Sequence, residues 1–451
     1  MAQKTMIRHE LPRRLGCLDA TMIVVGIVIG SGIFLLPNLI AQNLRSGGAI
    51  LSAWAISGVL SCFGALAYAE LGAMMPATGG QYVYLREAYG PLAAFVCGWA
   101  FMLTVLSGGI AWLAVSFSIY IGQFVHLTPA LSKVVSLGLI ALLSAVNYIG
   151  VREGALVQVI LTFLKVAGLV LLIGSAFLSP ISVPHLQSEV RPVFSFAHFG
   201  VALIACLWAY NGWTYISFVA GEVKEPQRNL PRSLGIGMIL VMALYLLANL
   251  AYLKVLPIPE IAATARVGAA LAERTLGSIG ATVVSTTVLL SIVGTINGCT
   301  LTAARIPFAL AQDGLFFRQF GRVHPRFQTP AYAIVAQSLW TAVLVLTGSY
   351  ENLLSYSMVA AWIFYMLSVA AVFVLRRKLP GLPRPYRMWG YPYTLWVFML
   401  VSVWFVVNAF ITEPRPSLLA LGIIATGIPI YLIWCKPASQ QSSVAELKAK
   451  L

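Results

Sequence analysis

The stretch Gly26-Ile27-Val28-Ile29-Gly30-Ser31-Gly32-Ile33-Phe34 lies inside an apolar run from about Leu18 to Ala41. Glycine weakens a helix interior by roughly 1 kcal/mol relative to alanine. Two glycines flanking one serine therefore predict local unwinding. In hydrocarbon, unwound backbone is tolerated only where it is buried in protein or lines a cavity. Gly26 and Gly30 also form a G-x-x-x-G pair, for which close helix packing is the plain alternative.

Composition sets the class. Of 451 residues, 59% are hydrophobic and only 10% charged, and the mean hydropathy is +0.87. Soluble domains carry roughly 25% charged residues, so the chain reads as a polytopic membrane protein. The net charge of +15 does not call for nucleic acid. Most of the Lys and Arg fall in alternate loops, as in Arg13-Arg14, Arg228, Arg322, Arg326 and Arg376-Arg377-Lys378. The positive-inside rule then puts both termini in the cytoplasm of a multi-pass protein of the cell membrane. The charged first 16 residues and the long first apolar run do not fit a cleavable signal peptide. The six cysteines show no C-x-x-C spacing and read as small core residues.

Hydropathy predicts twelve spanning helices, at about 18–41, 48–73, 91–124, 131–149, 154–178, 199–221, 233–256, 279–303, 331–348, 353–375, 392–411 and 417–435. The third is long enough to be tilted. The domain reading is a transport core over 18–375, with repeats at about 18–178 and 199–375. A cytoplasmic linker at 376–391 leads to helices 11 and 12 at 392–435, and cytoplasmic tails occupy 1–17 and 436–451.

A second interruption, Trp208-Ala209-Tyr210-Asn211-Gly212-Trp213, begins at matching depth in span 6. Spans 1 and 6 run in opposite directions through the membrane. Paired breaks in antiparallel helices are the signature of an inverted repeat with a solute site at its interface. N–H groups freed at the start of a half-helix suit a carboxylate, and Ser31 could add a hydroxyl. Carbonyls from Ile27 onward, and from Trp208 to Asn211, suit an ammonium. A site for both groups is an α-amino-acid site. Trp208 could close over a bound solute, against the alternative of an ordinary buried aromatic. Asn211 either meets the solute side chain or makes an interhelical hydrogen bond.

Lys165 lies about midway along span 5, too deep for easy snorkelling. A charge there costs about 2.5–3.5 kcal/mol on insertion scales, so it must face the bundle interior and find partners. Either it is a structural dipole pair, or it sits against the carbonyls of broken helix 1, where a coupling sodium ion would otherwise bind. Loss of its proton would instead permit proton coupling. Asn147 and Asn297 read as interhelical hydrogen-bonding groups. Glu70 and Asp19 read as inner-gate or helix-end charges, and Glu222 with Lys224, Glu225 and Arg228 as a solvated loop. The five histidines lie in tails, loops or at a span edge. No zincin spacing, Walker loop or intramembrane aspartate pair is present, so an enzyme, a metal site and a cofactor are not expected.

Several motifs together make the resemblance specific. They are Gly26 to Phe34, Tyr68-Ala-Glu-Leu-Gly72 with Pro76-Ala-Thr-Gly-Gly-Gln-Tyr82, Lys165, and Trp208 to Trp213. Glu222-Val-Lys-Glu-Pro-Gln-Arg-Asn-Leu-Pro-Arg232 and Asn297-Gly298 with Thr302-Ala-Ala-Arg305 complete the set. Over about residues 10–435 the chain resembles the amino acid–polyamine–organocation transporter superfamily, in its L-amino-acid-transporter-like branch. The resemblance implies an all-α membrane protein with a 5+5 inverted repeat, broken helices 1 and 6, and two further helices. It implies a carboxylate site on the amides of Gly30, Ser31, Gly32 and Ile33. The amino group would meet the carbonyls of helices 1 and 6, so that Ile27, Trp208, Ala209, Asn211 and Gly212 complete the substrate site. Trp208 becomes the gate aromatic, and Lys165 the lysine that marks sodium-independent relatives.

Two departures follow. The loop Gln123 to Pro129 lacks the cysteine through which some members link to an ancillary glycoprotein, so no heavy-chain subunit is expected, only a monomer or weak homo-oligomer. Asn211 replaces a glycine and narrows the pocket toward small or polar solutes. The function expected is sodium-independent transport of neutral amino acids by alternating access, with exchange as the mode. A proton-coupled symporter is the rival, and a polyamine or amino-acid-derivative transporter is less favoured. A channel is disfavoured because nothing resembles a selectivity filter.

Overall fold

A computed structural model describes residues 11–122, 124–183, 195–347 and 350–434. The outer parts of both tails, His9-Glu10, His185 and Cys435 lie outside the described residues. Among the described residues the chain is helical, and β pairing is limited to one isolated bridge, Leu15 with Val223.

Span 1 consists of α1 (Cys17–Val28) and α2 (Gly32–Asn43), and α3 (Gly47–Met74) follows. A short α4 (Gln81–Tyr89) leads to α5 (Pro91–Ala100), which passes through a π turn at Phe101–Val105 into α6 (Leu106–Ile121). Next come α7 (Pro129–Ile149) and α8 (Val151–Leu178). Span 6 consists of α9 (Phe196–Ala209) and a 3-10 helix, Trp213–Glu222. The chain continues through α10 (Pro226–Val255), the short α11 (Ile258–Ala263) and α12 (Val267–Leu276), then α13 (Ser278–Ala303) and α14 (Arg305–Gln312). It ends with α15 (Ala331–Thr347), α16 (Tyr350–Lys378), α17 (Tyr393–Thr412) and α18 (Pro414–Trp434).

Eleven spans among the described residues are long and apolar enough to cross a membrane. The twelfth expected from the sequence, at 331–348, is the apolar α15, which is shorter than those eleven. The broken spans are central. About 72% of the apolar window is buried in both Cys17–Asn43 and Phe196–Glu222, against 22% and 17% for α17 and α18. Burial of this kind explains why breaks are tolerated here, since lipid never reaches the unwound backbone.

Spans 1 and 6 lie antiparallel. The first half of span 1, α1, packs on the second half of span 6, and α2 packs on α9. At the basic end, the segment entering α1 is tied to the end of span 6. Arg14 and Leu15 donate backbone N–H groups to Glu222 O at 2.9 and 3.0 Å, and Lys224 N–H donates to Leu15 O at 2.8 Å. Around the first break, α1, α8 and α13 pack mutually, and α10 packs on both α1 and α3.

Candidate functional site

The two interruptions meet. In span 1 the helical ladder ends with Ile29 N–H donating to Val25 O at 2.8 Å, and Gly30 N–H turns back to Val28 O at 2.8 Å. Ile29, at ψ 83°, leaves the helical region, and α2 restarts with Ser31 at its N-cap. The first N–H groups of a helix have no intrahelical acceptor, so Ser31, Gly32 and Ile33 present free donors. The hydroxyl of Ser31, 1% exposed, has no hydrogen-bond partner among the described residues. A buried row of donors beside an unpaired hydroxyl is a cradle for a carboxylate.

In span 6, Asn211 N–H donates to Trp208 O at 3.0 Å and Gly212 adopts φ +126°, a conformation that favours glycine. Glycine is also required there for space. A β-carbon on Gly212 would stand 2.7 Å from Ile27 Cγ2 and 3.2 Å from the backbone of Ile27 and Val28. On the other half, a β-carbon on Gly32 would stand 3.1 Å from Trp208 Cζ3 and 3.4 Å from Ala209 Cα. Ile27, Gly32, Trp208, Ala209 and Gly212 are thus brought into one place, with Ser31 and Ile33 beside them. Gly30, Trp208 and Asn211 remain partly exposed within it.

The packing alternative separates the two glycines of the G-x-x-x-G pair. Gly26 faces Thr162 and Gln158 of α8 with no room for a β-carbon, whereas Gly30 has only Thr295 Oγ1, at 3.7 Å. Close packing accounts for Gly26 and not for Gly30.

Lys165 is 1% exposed, and its ammonium joins three helices. It donates to Gly26 O at 2.7 Å and Ile29 O at 2.9 Å in span 1. It also reaches Ser291 O at 3.0 Å and Thr295 Oγ1 at 3.4 Å on α13. Ser291 and Thr295 reinforce the cluster with hydroxyl bonds to Ile29 O and Gly26 O at 2.9 and 3.2 Å. These carbonyls are the ones a break at Gly30 releases, and a buried ammonium satisfies them.

Sequence reading missed Tyr245 of α10. Its hydroxyl lies 2.8 Å from Val28 O and 3.2 Å from Ala209 O, bridging the two breaks. The ring is fixed by Trp54 and Tyr210, at centroid distances of 5.3 and 5.0 Å. The available signal was a stripe of polar-tipped residues in an apolar span, since Tyr245, Asn249 and Tyr252 share one helix face. Ser291 and Thr295, one turn apart, carried the same signal.

Trp208 stands edge-on to Trp112 of α6, with ring centroids 5.2 Å apart. Asn211 has a second duty, because its Oδ1 accepts a 3.0 Å hydrogen bond from Tyr365 of α16. The interhelical alternative therefore holds for that oxygen. Asn147 and Asn297 behave as expected, bonded to each other at 2.9 Å, with Asn297 also donating to Gly154 O and Gln158 Oε1.

The basic end differs from its sequence reading in one respect. Glu222, expected in a solvated loop, is fully buried and forms a two-pronged ion pair with Arg305 at 2.7 and 3.0 Å. The pair joins the end of span 6 to the start of α14, and composition alone could not bring residues 83 positions apart together. Glu70 is held by Arg376 at 2.7 and 2.9 Å and by the backbone N–H of Met388 at 2.7 Å. Asp313 is bound by Arg86 and by the hydroxyl of Tyr82. Burial, with Asp313 beside it, pushes the Tyr82 phenol well above its ordinary range.

The family described as "Amino acid permease" matches residues 15–434. The chain is 31% identical over 426 residues to the serine/threonine exchanger SteT of Bacillus subtilis (strain 168), covering 94% of this chain and 97% of that protein. It is 31% identical over 434 residues to the human b(0,+)-type amino acid transporter 1, covering 94% of this chain and 88% of that protein. It is 32% identical over 442 residues to the mouse Asc-type amino acid transporter 1, covering 94% of this chain and 82% of that protein.

Proposed function

The chain belongs to the amino acid permease family, within the L-amino-acid-transporter-like branch of its superfamily, and on that premise we propose that it exchanges small or polar neutral L-amino acids across the membrane without sodium. Its relatives are transporters, not enzymes, and amino-acid transport is the function that the family supports. Exchange is supported by the printed function of the Bacillus relative, a serine/threonine exchanger.

The substrate carboxylate binds the N–H groups of Ser31, Gly32 and Ile33, with Gly30 giving access and Ser31 Oγ adding a donor. The ammonium binds carbonyls of the two breaks, including that of Ile27 and those near Trp208 and Ala209. Trp208 closes over the solute. Asn211, with its oxygen engaged by Tyr365, favours a small or hydroxylated side chain. Alternating access moves the broken helices relative to α8 and α13.

The observation that carries sodium independence is the Lys165 ammonium on the carbonyls of Gly26, Ile29 and Ser291. A fixed cation there removes the place and the need for a mobile one. The chain works without a heavy-chain subunit, consistent with the missing cysteine between Gln123 and Pro129, and its termini face the cytoplasm. Proton coupling is the second reading. One fact favours it: all the hydrogen-bond partners of Lys165 are uncharged oxygens, so loss of its proton would strand no carboxylate. Uptake into proteoliposomes separates the two. Exchange requires preloaded amino acid, and symport requires only an inward proton gradient.

A further inference from the structure

An open cleft of about 610 Å³ lies between α7 and α15, and no residue of the two breaks lines it. Its walls include Leu137, Ala141, Ala145, Val335 and Leu339. Leu339 and Val335 are 63% and 45% exposed, so this wall faces the lipid. Two serines are present, and Ser338 Oγ lies 2.6 Å from Ser144 Oγ and 2.8 Å from Ile334 O. From Leu137 to Ile149 the cleft follows about 18 Å of helix at 1.5 Å per residue. That is close to one leaflet of a hydrocarbon core roughly 30 Å thick.

The cleft ends at a built, basic turn. The Tyr148 ring, in the cleft wall, contacts His324 and Phe327, each with centroids 5.6 Å apart. The turn is closed by His324 N–H on Thr329 O at 2.9 Å and Gln328 N–H on His324 O at 2.8 Å. Thr329 Oγ1 fastens it to Tyr148 O at 2.8 Å. Arg326 lies over the Phe327 ring at 5.5 Å, and Arg14 donates to Gln328 Oε1 at 2.6 Å. Arg152, just beyond the end of α7, and Arg322 are exposed nearby in the chain. No carboxylate among the described residues lies within ion-pair distance of Arg152, Arg322 or Arg326. Glu153 and Asp313 are the acidic groups closest to them in sequence, and Asp313 is engaged by Arg86.

We propose that this cleft is a site for an anionic phospholipid, one acyl chain lying between α7 and α15 and the headgroup on Arg326 and Arg152. An apolar channel one leaflet long, ending at arginines that have no carboxylate partner among the described residues, matches the two halves of such a lipid. Basic pockets between helices at this membrane face are the setting in which anionic headgroups are recognised.

The test uses the purified full-length chain, stripped of lipid in detergent. Dioleoyl phosphatidylglycerol or dioleoyl phosphatidylcholine is added, and native mass spectrometry counts the lipid retained. Phosphatidylglycerol is retained in preference. Each arginine near an anionic headgroup is worth about fivefold, so the Arg152→Gln/Arg326→Gln double variant loses about 25-fold of that affinity. A double variant at the opposite face, Arg266→Gln/Arg415→Gln, keeps it. Ala145→Trp, which fills the exposed cleft, weakens both lipids. Equal retention of the two lipids by the wild type overturns the assignment. So does undiminished phosphatidylglycerol binding in the Arg152/Arg326 variant. Loss of a dimer in Ala145→Trp without loss of lipid would assign the cleft to a second copy instead.

Discussion

Gly32 stands so close to Trp208 that one added β-carbon would lie 3.1 Å from the indole Cζ3. The contact joins the start of one half-helix to the end of another, and it sets the width of the proposed site. Gly32→Ala forces the indole to shift by a few tenths of an ångström, and Gly32→Leu fills the space outright. Both variants should reach the membrane at normal levels. Equilibrium binding of labelled serine should fall roughly tenfold in the alanine variant, about 1.4 kcal/mol, and should vanish in the leucine variant. Gly174→Ala, where a β-carbon meets nothing within 4 Å, is the matched control and should bind normally. Normal binding by Gly32→Leu would move the site elsewhere.

Lys165→Ala removes the ammonium whose contacts to Gly26 O and Ile29 O tie span 1 to α8, and whose contacts to Ser291 O and Thr295 Oγ1 tie α13 to α8. Bonds to charged groups contribute about 1.5–3 kcal/mol each. The carbonyls it leaves keep only the weaker, neutral hydroxyl donors of Ser291 and Thr295. Exchange should drop at least tenfold while the protein remains in the membrane fraction. A sodium titration of the variant is the informative companion measurement. Transport at wild-type rates would remove Lys165 from the account.

Tyr245→Phe keeps the ring against Trp54 and Tyr210 and deletes only the hydroxyl. Thermal stability should change little, by about 1 kcal/mol for a lost neutral hydrogen bond. Val28 O and Ala209 O are then freed on opposite sides of the site. Substrate affinity should therefore change more than stability does. Equal and small effects on both would make Tyr245 a packing residue.

The sequence made the breaks legible because glycines in an apolar run are locally unfavourable wherever they occur, and their pairing at matching depth is a spacing. Lys165 was legible because a mid-membrane charge must find partners. Ser291, Thr295 and Tyr245 were not singled out, because hydroxyls in apolar helices usually bond their own preceding turn, as Thr295 also does with Ser291 O at 2.9 Å. Glu222, which reads with Lys224, Glu225 and Arg228 as part of a solvated loop, is instead paired with Arg305. Local sequence around Glu222 is rich in charge, and only the packing of span 6 on α13 and α14 buries it. For Asn211 the sequence allows both a solute contact and an interhelical bond, and the structure gives its oxygen to Tyr365.

That buried pair makes its own prediction. Breaking a fully desolvated ion pair by removing one partner costs about 3–5 kcal/mol, while apolar replacement of both is often neutral. Glu222→Leu should lower the melting temperature sharply in detergent, and the Glu222→Leu/Arg305→Met double variant should recover most of it. If the double variant melts no higher than the single one, the pair matters for something other than desolvated charge.

The central claim is amino-acid exchange without sodium at the paired breaks, and counterflow in proteoliposomes tests it most directly. Vesicles holding the purified chain and preloaded with unlabelled serine should take up labelled serine at the same rate in sodium or choline buffer. Empty vesicles should take up almost none, with or without a pH gradient. Uptake into empty vesicles driven by sodium or by an inward proton gradient would contradict the account.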